Sequence, residues 1–282
     1  MDVQHITVLG AGTMGHGIAH AAAAAGFDTR LYDVSPEQLH RAHAQIVAVF
    51  RKAVELGKAT AAEADAGIAR VKTMSHLHAA LADADFVIEA APERIDLKLQ
   101  LVAEIERSAP ARAVIATNTS ALSITEMAGS IRHAARVAGM HFFNPVHKMK
   151  LVEIVRALES SDATIVTIEQ VARRMGKETV LVRESPGFIT TRVNASIGNE
   201  AFYMLMEGVA SARDIDKALK LGLNHPMGPF ELVDLVGLDT RLSILEYLHR
   251  SLGEKYRPCP LLAQYVRAGR LGRKVGRGVY EY

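Results

Sequence analysis

The chain is poor in the residues that small secreted or metal-bound proteins rely on: it has 1 cysteine, no tryptophan and only 5% aromatic residues. Its lone thiol, Cys259, lies between Pro258 and Pro260. It cannot close an intrachain disulfide and has no partner for a metal or redox centre, so it reads as a packing residue. No apolar run reaches the roughly eighteen residues needed to span a bilayer. The nearest, residues 18–25, is short and mostly alanine. Asp2 and an immediate strand pattern stand where a signal peptide needs a basic and then an apolar region, so the expected location is the cytoplasm and no membrane partner is expected. Positive and negative side chains nearly cancel, 33 against 31, for a formal charge of +2, too little to imply nucleic-acid binding. The 12 histidines are scattered. None combines with Cys, Asp or Glu at zinc-ligand spacing, and His76 and His78 simply mark a helix start, so no metal site is expected. Repeats and low-complexity linkers are also lacking.

What is present is a chain of 282 residues, 49% hydrophobic, enough for one or two domains around a large core. The apolar run Ile6-Thr7-Val8-Leu9 leads into Gly10-Ala11-Gly12-Thr13-Met14-Gly15 and then an alanine-rich helix pattern. In the order strand, turn, helix, G-x-G-x-x-G has a mechanism. Gly10 permits the turn, Gly12 lets a pyrophosphate approach the backbone, and Gly15 lets the helix lie close to the strand. Thr13 and Met14 complete that cofactor loop as helix-start residues with no catalytic role. The next strand, Thr29-Arg30-Leu31-Tyr32, ends in Asp33, placed to accept hydrogen bonds from an adenosine ribose and to repel a 2′-phosphate. NAD is therefore favoured over NADP.

Ser35-Pro36-Glu37-Gln38 predicts a helix start with Ser35 as N-cap and Gln38 completing a capping box. Ile46, Phe50 and Val54 continue one apolar stripe to Gly57, and a second helix is expected over about residues 61–68. The pair exceeds an ordinary crossover and predicts a projecting hairpin, whose Arg51, Lys52 and Lys58 are candidates to meet a phosphate-bearing substrate or simply solvated charges. Strand, helix and strand follow at residues 86–91, 96–107 and 114–117, which predicts a parallel sheet whose ligands lie beyond the strands' carboxyl ends, near Glu93, Asn118 and Ser120. A strand over 136–140 runs into His141-Phe142-Phe143-Asn144-Pro145, and the extended segment 151–155 buries Glu153 among branched side chains. A helix over 163–175 and a strand over 179–182 finish this domain. Ser185-Pro186-Gly187 marks the boundary, giving a dinucleotide-binding domain over 1–184 and a helical one over 185–282. Helices are expected over 188–207, from Ser211 through Leu221, and twice more after Pro226-Met227-Gly228-Pro229. The apolar positions Phe230, Leu232, Val233, Leu235, Val236 and Leu238 predict pairing of this small domain with a second copy, a homodimer. The fold class is thus α/β, a Rossmann-type doubly wound, mostly parallel sheet with a helical hairpin insertion, followed by a smaller all-helical domain.

Hydride transfer to or from an alcohol needs a group that takes or gives the hydroxyl proton, and histidine suits it near neutral pH. His141, at a strand's carboxyl end, is the best placed. Glu153 can hold the far ring nitrogen, fixing the tautomer. Spacing alone fits a purely structural pair equally well.

At His141-Phe142-Phe143-Asn144-Pro145 the chain closely resembles the L-3-hydroxyacyl-CoA dehydrogenase family, especially its short bacterial 3-hydroxybutyryl-CoA members. The resemblance runs nearly end to end, through residues 10–15, Ala-Pro-Glu at 91–93, Asn-Thr-Ser at 118–120, Lys-Leu-Val-Glu at 150–153, Ser-Pro-Gly-Phe at 185–188 and Pro-Met-Gly-Pro-Phe-Glu-Leu at 226–232. It implies NAD as cofactor, an acyl-CoA as substrate, His141 as catalytic base and Glu153 as its partner. It also implies Ser120 beside the substrate carbonyl and the nicotinamide, and Glu93, Lys98, Asn144 and Lys274 as cofactor contacts. One position departs from the pattern: many members carry Asn immediately before Arg192, where this chain has Thr191, and Asn194 three residues on is the alternative donor. The resemblance assigns the coenzyme A phosphates to the region of Arg51, Lys52 and Lys58, not to particular residues. The rival readings are a dehydrogenase of a free 3-hydroxy acid, a non-catalytic nucleotide-binding protein on the same scaffold, and nucleic-acid binding through the basic tail 267–277.

Overall fold

The computed structural model describes residues 2–282, which form two compact units that divide between Glu184 and Ser185. Among the described residues no helix is long and apolar enough to cross a membrane.

The first unit is an eight-stranded sheet in the order β3-β2-β1-β4-β5-β6-β7-β8. Its strands are β1 (His5–Leu9), β2 (Asp28–Tyr32), β3 (Val71–Met74), β4 (Phe86–Glu89), β5 (Val114–Thr117), β6 (Val137–Phe142), β7 (Leu151–Arg156) and β8 (Glu178–Arg183). Around them run α1 (Thr13–Ala24), α2 (Pro36–Glu55), α3 (Ala61–Ala69), α4 (Leu77–Leu81), α5 (Ile95–Ser108), α6 (Ile124–Gly129) and α7 (Asp162–Arg174). Strands β3 to β6 follow the dinucleotide-binding order, with the switch point between β1 and β4, where ligands of such sheets lie. The expected parallel sheet holds up to β6. β7 then runs antiparallel to β6, because only eight residues separate Phe142 from Leu151, too few for a parallel crossover.

β1, β4, β5 and β6 read as near-continuous apolar runs because helices cover both faces. α1 lies close on β1 through Gly15, where a Cβ would sit 1.7 Å from Gly10 O. Leu39, Ala42, Ile46 and Phe50 bury one stripe of α2 in the same core, so the hairpin packs along the sheet domain. Thr60 and Glu63 form a reciprocal capping box that starts α3. The expected box at α2 is only half present. Ser35 accepts from the Gln38 amide, but the Gln38 side chain reaches away to Ala11 O at 2.8 Å, a carbonyl of the glycine loop. The strand β3 escapes the sequence reading, since Val71-Lys72-Thr73-Met74 is an edge strand with half-exposed, mixed residues, while α4 begins at the expected helix start, with His76 as its N-cap.

The second unit holds α8 (Thr190–Met206), α9 (Ala212–Gly222), α10 (Pro229–Val236), α11 (Leu238–Leu252) and α12 (Pro260–Arg267). There is one helix more after the Pro226–Pro229 turn than expected. Phe202, Phe230, Val233, Leu238, Leu245, Leu248 and Leu262 form its core, with Cys259 fully buried among them.

Candidate active site

The carboxyl end of the sheet is assembled by two buried carboxylates and a strand pairing. Glu89 closes β4 with no solvent exposure and meets the ammonium of Lys98, itself 1% exposed, through both oxygens at 2.7 and 2.8 Å. The Ala91 amide and the Thr117 hydroxyl also donate to Glu89, and Lys98 gives its remaining proton to Ala91 O. All three ammonium protons are thus engaged in holding the turn after β4. Nothing in the run Phe-Val-Ile-Glu marks Glu89 beyond a charge inside an apolar strand, which is the one signal that could have found it.

Glu93 sits above this pair. One of its oxygens accepts from the Thr119 hydroxyl at 2.6 Å and from the Ser120 and Ala121 amides at 2.8 and 3.2 Å, while the other lies 3.6 Å from Lys98 Nζ. Glu93 therefore shapes the segment bearing Ser120. Asn118 Oδ1 accepts from the amide of Phe142 at 2.8 Å, which draws that segment to the strand of His141.

His141 and Glu153 are direct cross-strand partners in the β6–β7 register. The ring Nδ1 lies 2.7 Å from Glu153 Oε2, with His141 5% exposed and Glu153 fully buried. A carboxylate only accepts, so Nδ1 carries the proton and the basic lone pair falls on Nε2. The Phe143 ring, 4.6 Å from the imidazole centroid, packs beside it.

At the switch point, the glycine loop fits a dinucleotide. Gly10 has φ of +98° and a Cβ there would lie 2.7 Å from Ala90 O, whereas the space a Cβ of Gly12 would occupy has no protein atom within 4 Å. The backbone at Gly12 is thus open to a pyrophosphate. Asp33 braces the loop by accepting from the amides of Ala11 at 2.8 Å and Ser35 at 2.9 Å. Each oxygen retains a second lone pair for a ribose hydroxyl. His16 Nδ1, 2.9 Å from Gly12 O, is a further neighbour that the motif alone did not mark. Thr13 and Met14 open α1.

Asn144 is exposed in the loop after β6. On the hairpin, Arg51 pairs with Asp65 and Lys52 with Glu55, both at 2.8 Å, while Lys58 is exposed in the turn that follows. His147 is held below the ordinary histidine range by partial burial and by Lys148, Lys177, His16 and Lys58.

In the second unit, Asn194 accepts from Arg241 at 3.3 Å, and burial pushes that guanidinium down to about 10. Thr191 is half-buried one turn earlier on α8. Lys274 pairs with Asp239 at 2.6 and 2.7 Å. Of the apolar positions expected at an interface, Phe230, Val233 and Leu238 are buried within the unit, and Leu235 and Val236 remain exposed. A groove of about 570 Å³ runs beside α8, with Tyr203, Met204, Leu219 and Tyr256 in its wall. Among the described residues no group of His, Cys, Asp and Glu is arranged to hold a metal ion.

Two family models together match almost the whole chain. Residues 5–185 match the model of the 3-hydroxyacyl-CoA dehydrogenase NAD binding domain, and residues 187–282 match that of the 3-hydroxyacyl-CoA dehydrogenase C-terminal domain. A probable 3-hydroxybutyryl-CoA dehydrogenase of Bacillus subtilis is 47% identical over 283 residues, 100% of this chain and 98% of that protein. A 3-hydroxybutyryl-CoA dehydrogenase of Bradyrhizobium diazoefficiens is 42% identical, covering 99% of this chain and 96% of its own. The crystal structure of (S)-3-hydroxybutyryl-CoA dehydrogenase from Ralstonia eutropha superposes with a TM-score of 0.95 at 41% identity, covering 100% and 99% of the two chains.

Proposed function

The chain belongs to the 3-hydroxyacyl-CoA dehydrogenase family, and from that premise we propose that it interconverts a short-chain (S)-3-hydroxyacyl-CoA, of the 3-hydroxybutyryl type, with the 3-ketoacyl-CoA. The observation that carries this reading is the buried pair of His141 and Glu153, set opposite one another at the carboxyl end of β6. Bound NAD supplies the hydride acceptor at its nicotinamide. The protein's own part is the proton. In oxidation, His141 Nε2 takes the proton of the substrate hydroxyl, and the resulting imidazolium is stabilised by Glu153 through the 2.7 Å hydrogen bond. In reduction the same nitrogen returns it to the ketone oxygen.

The remaining residues hold the reactants in place. Gly10, Gly12 and Gly15 with Asp33 receive the adenosine half of the cofactor, and Glu93 and Asn144 border its nicotinamide half. Lys98 supports that end from beneath through Glu89, and Lys274 is the further residue that the family resemblance assigns to the cofactor. Ser120 meets the substrate carbonyl; Thr191 or Asn194 takes the role of the Asn that many family members carry before Arg192. Arg51 and Lys52 make only exposed ion pairs, which cost about 1 kcal/mol or less to exchange for a phosphate, so they and Lys58 stay available to coenzyme A. The exposed Leu235 and Val236 support pairing of the helical unit with a second copy, which sedimentation would read as twice the chain mass.

The test is turnover of acetoacetyl-CoA and of free acetoacetate with NADH and with NADPH. The expected result is oxidation of NADH by acetoacetyl-CoA alone, with His141→Ala slower by a factor of about 10² to 10⁴. Turnover confined to the free acid, or an unimpaired His141→Ala, would overturn the reading.

A further inference from the structure

Lys177 is a buried cation that the proton chemistry does not use. It follows the turn at Gly176 that ends α7 and immediately precedes β8, and it is only 8% exposed. Unlike Lys98 it meets no carboxylate among the described residues. Its ammonium donates instead to two backbone carbonyls, Val146 O at 2.5 Å and Met149 O at 2.9 Å. The titratable groups that face it, His20 of α1 and His147 of the loop, offer it no negative charge: burial holds both below the ordinary histidine range, His20 at about 4, and burial also lowers the affinity of Lys177 for its proton. An uncompensated ammonium in such a place is costly, and simple packing would be served by an apolar chain of the same length.

Its two acceptors lie in the connection between β6 and β7. That connection carries Asn144 and joins the strand of His141 to the strand of Glu153. Pro145 O accepts the amides of Lys148 at 2.9 Å and Met149 at 3.0 Å, forming one tight turn with both acceptor carbonyls aimed at Lys177. Val146 is also buried against Gly17 of the cofactor helix α1, where a Cβ would come within 2.9 Å of Val146 Cγ2. The loop is thus held by two contacts, one with a cation and one with the bare face of a helix.

We propose that Lys177 is a positioning residue for the reaction: its ammonium, together with the close contact at Gly17, fixes the 143–150 connection and so sets Asn144 and the His141–Glu153 strand pair relative to the cofactor helix. The inference rests on the dehydrogenase reading for its kinetic part and stands apart from it for its structural part. Loosening a loop that aligns reactants lowers the rate at saturation more than it weakens binding, since small misplacements are expensive in the transition state.

The experiment compares the parent enzyme with Lys177→Met, Lys177→Arg and Gly17→Ala. Amide hydrogen exchange, thermal unfolding, NADH binding by fluorescence, and kcat with KM for acetoacetyl-CoA are measured on each. In Lys177→Met the exchange of the Lys148 and Met149 amides is expected to accelerate about tenfold or more, with β1 and β4 unchanged. Its kcat is expected to fall about tenfold or more, while KM and the NADH dissociation constant move less than about threefold. Lys177→Arg, which keeps the cation, recovers most of kcat. Gly17→Ala, which displaces Val146 with the ammonium intact, repeats the kinetic pattern and decides the matter if Lys177→Met does not fold. Unchanged loop exchange, exchange that rises evenly through the sheet, or parental kcat in folded Lys177→Met or Gly17→Ala overturns the proposal. Because the exchange measurement needs no substrate, it reads the loop even if acetoacetyl-CoA is not turned over.

Discussion

At the scale of single residues, the proposed chemistry rests on one carboxylate that is itself unable to reach solvent. Glu153 is fully buried, and its bond to Nδ1 determines which imidazole nitrogen is basic. In a site of low dielectric, a charge at this distance acts far more strongly on an imidazolium than it would at the surface. Glu153→Gln keeps the shape and removes the charge, and its amide can donate to Nδ1 and so select the wrong tautomer. We expect kcat to fall roughly a hundredfold or more, with NADH affinity unaltered, since the glycine loop and Asp33 are untouched. Steady-state kinetics at saturating acetoacetyl-CoA, beside a fluorescence titration with NADH, would check this. A Glu153→Gln enzyme within about threefold of the parent would reduce the pair to a structural one.

At the scale of elements, the strands explain which parts of the site were readable. His141 and Glu153 were legible because each is a polar residue in an apolar strand pattern, and the short link between them forces an antiparallel pair. The register that sets them directly opposite is a property of the paired backbone, which neither segment reveals alone. Glu89 and Lys98 show the reverse. Lys98 was expected at the cofactor, and its place in the first turn of α5 turns the ammonium down onto the end of β4, where both oxygens of Glu89 and the carbonyl of Ala91 take its three protons. Such a network depends on how a helix sits on a strand, and hydrophobic periodicity carries no trace of it. The pair also makes a stability prediction. Lys98→Met leaves an ionised Glu89 buried without its cation, a loss of about 3 to 5 kcal/mol, and adding Glu89→Gln should restore most of it. Urea unfolding of the two single variants and the double variant measures the coupling. A cost under about 1 kcal/mol for Lys98→Met would show that the ammonium is dispensable to the fold.

At the scale of the whole molecule, the two units owe their stability to different devices. The first has a large sheet core, and its sequence is legible in the alternation of strand and helix. The second has a small core and closes on its own C-terminal segment. Asp234, buried in α10, accepts from the amides of Val279 and Tyr280 at 2.8 and 2.9 Å and from the Tyr282 hydroxyl at 3.0 Å. Asp216, buried in α9, accepts from the amides of Phe230 and Glu231 and from the Tyr280 hydroxyl at 2.7 Å. The fit depends on glycine as well, since a Cβ on Gly278 would lie 2.0 Å from Asp234 Oδ1. None of this was visible in the chain order, because Asp234 and Tyr280 are brought together only by the folding back of the tail. Asp234→Ala strands three donors at once, and each lost partner of a charged acceptor costs about 1.5 kcal/mol or more. The helical unit should therefore melt first, as a separate transition well below the parent's. NADH binding should persist, because the glycine loop, Asp33 and Glu93 all belong to the first unit. Calorimetry with and without NADH separates the outcomes: the cofactor should raise the upper transition of the variant and leave the lower one in place. A single transition that NADH shifts as a whole would mean that the two units unfold as one.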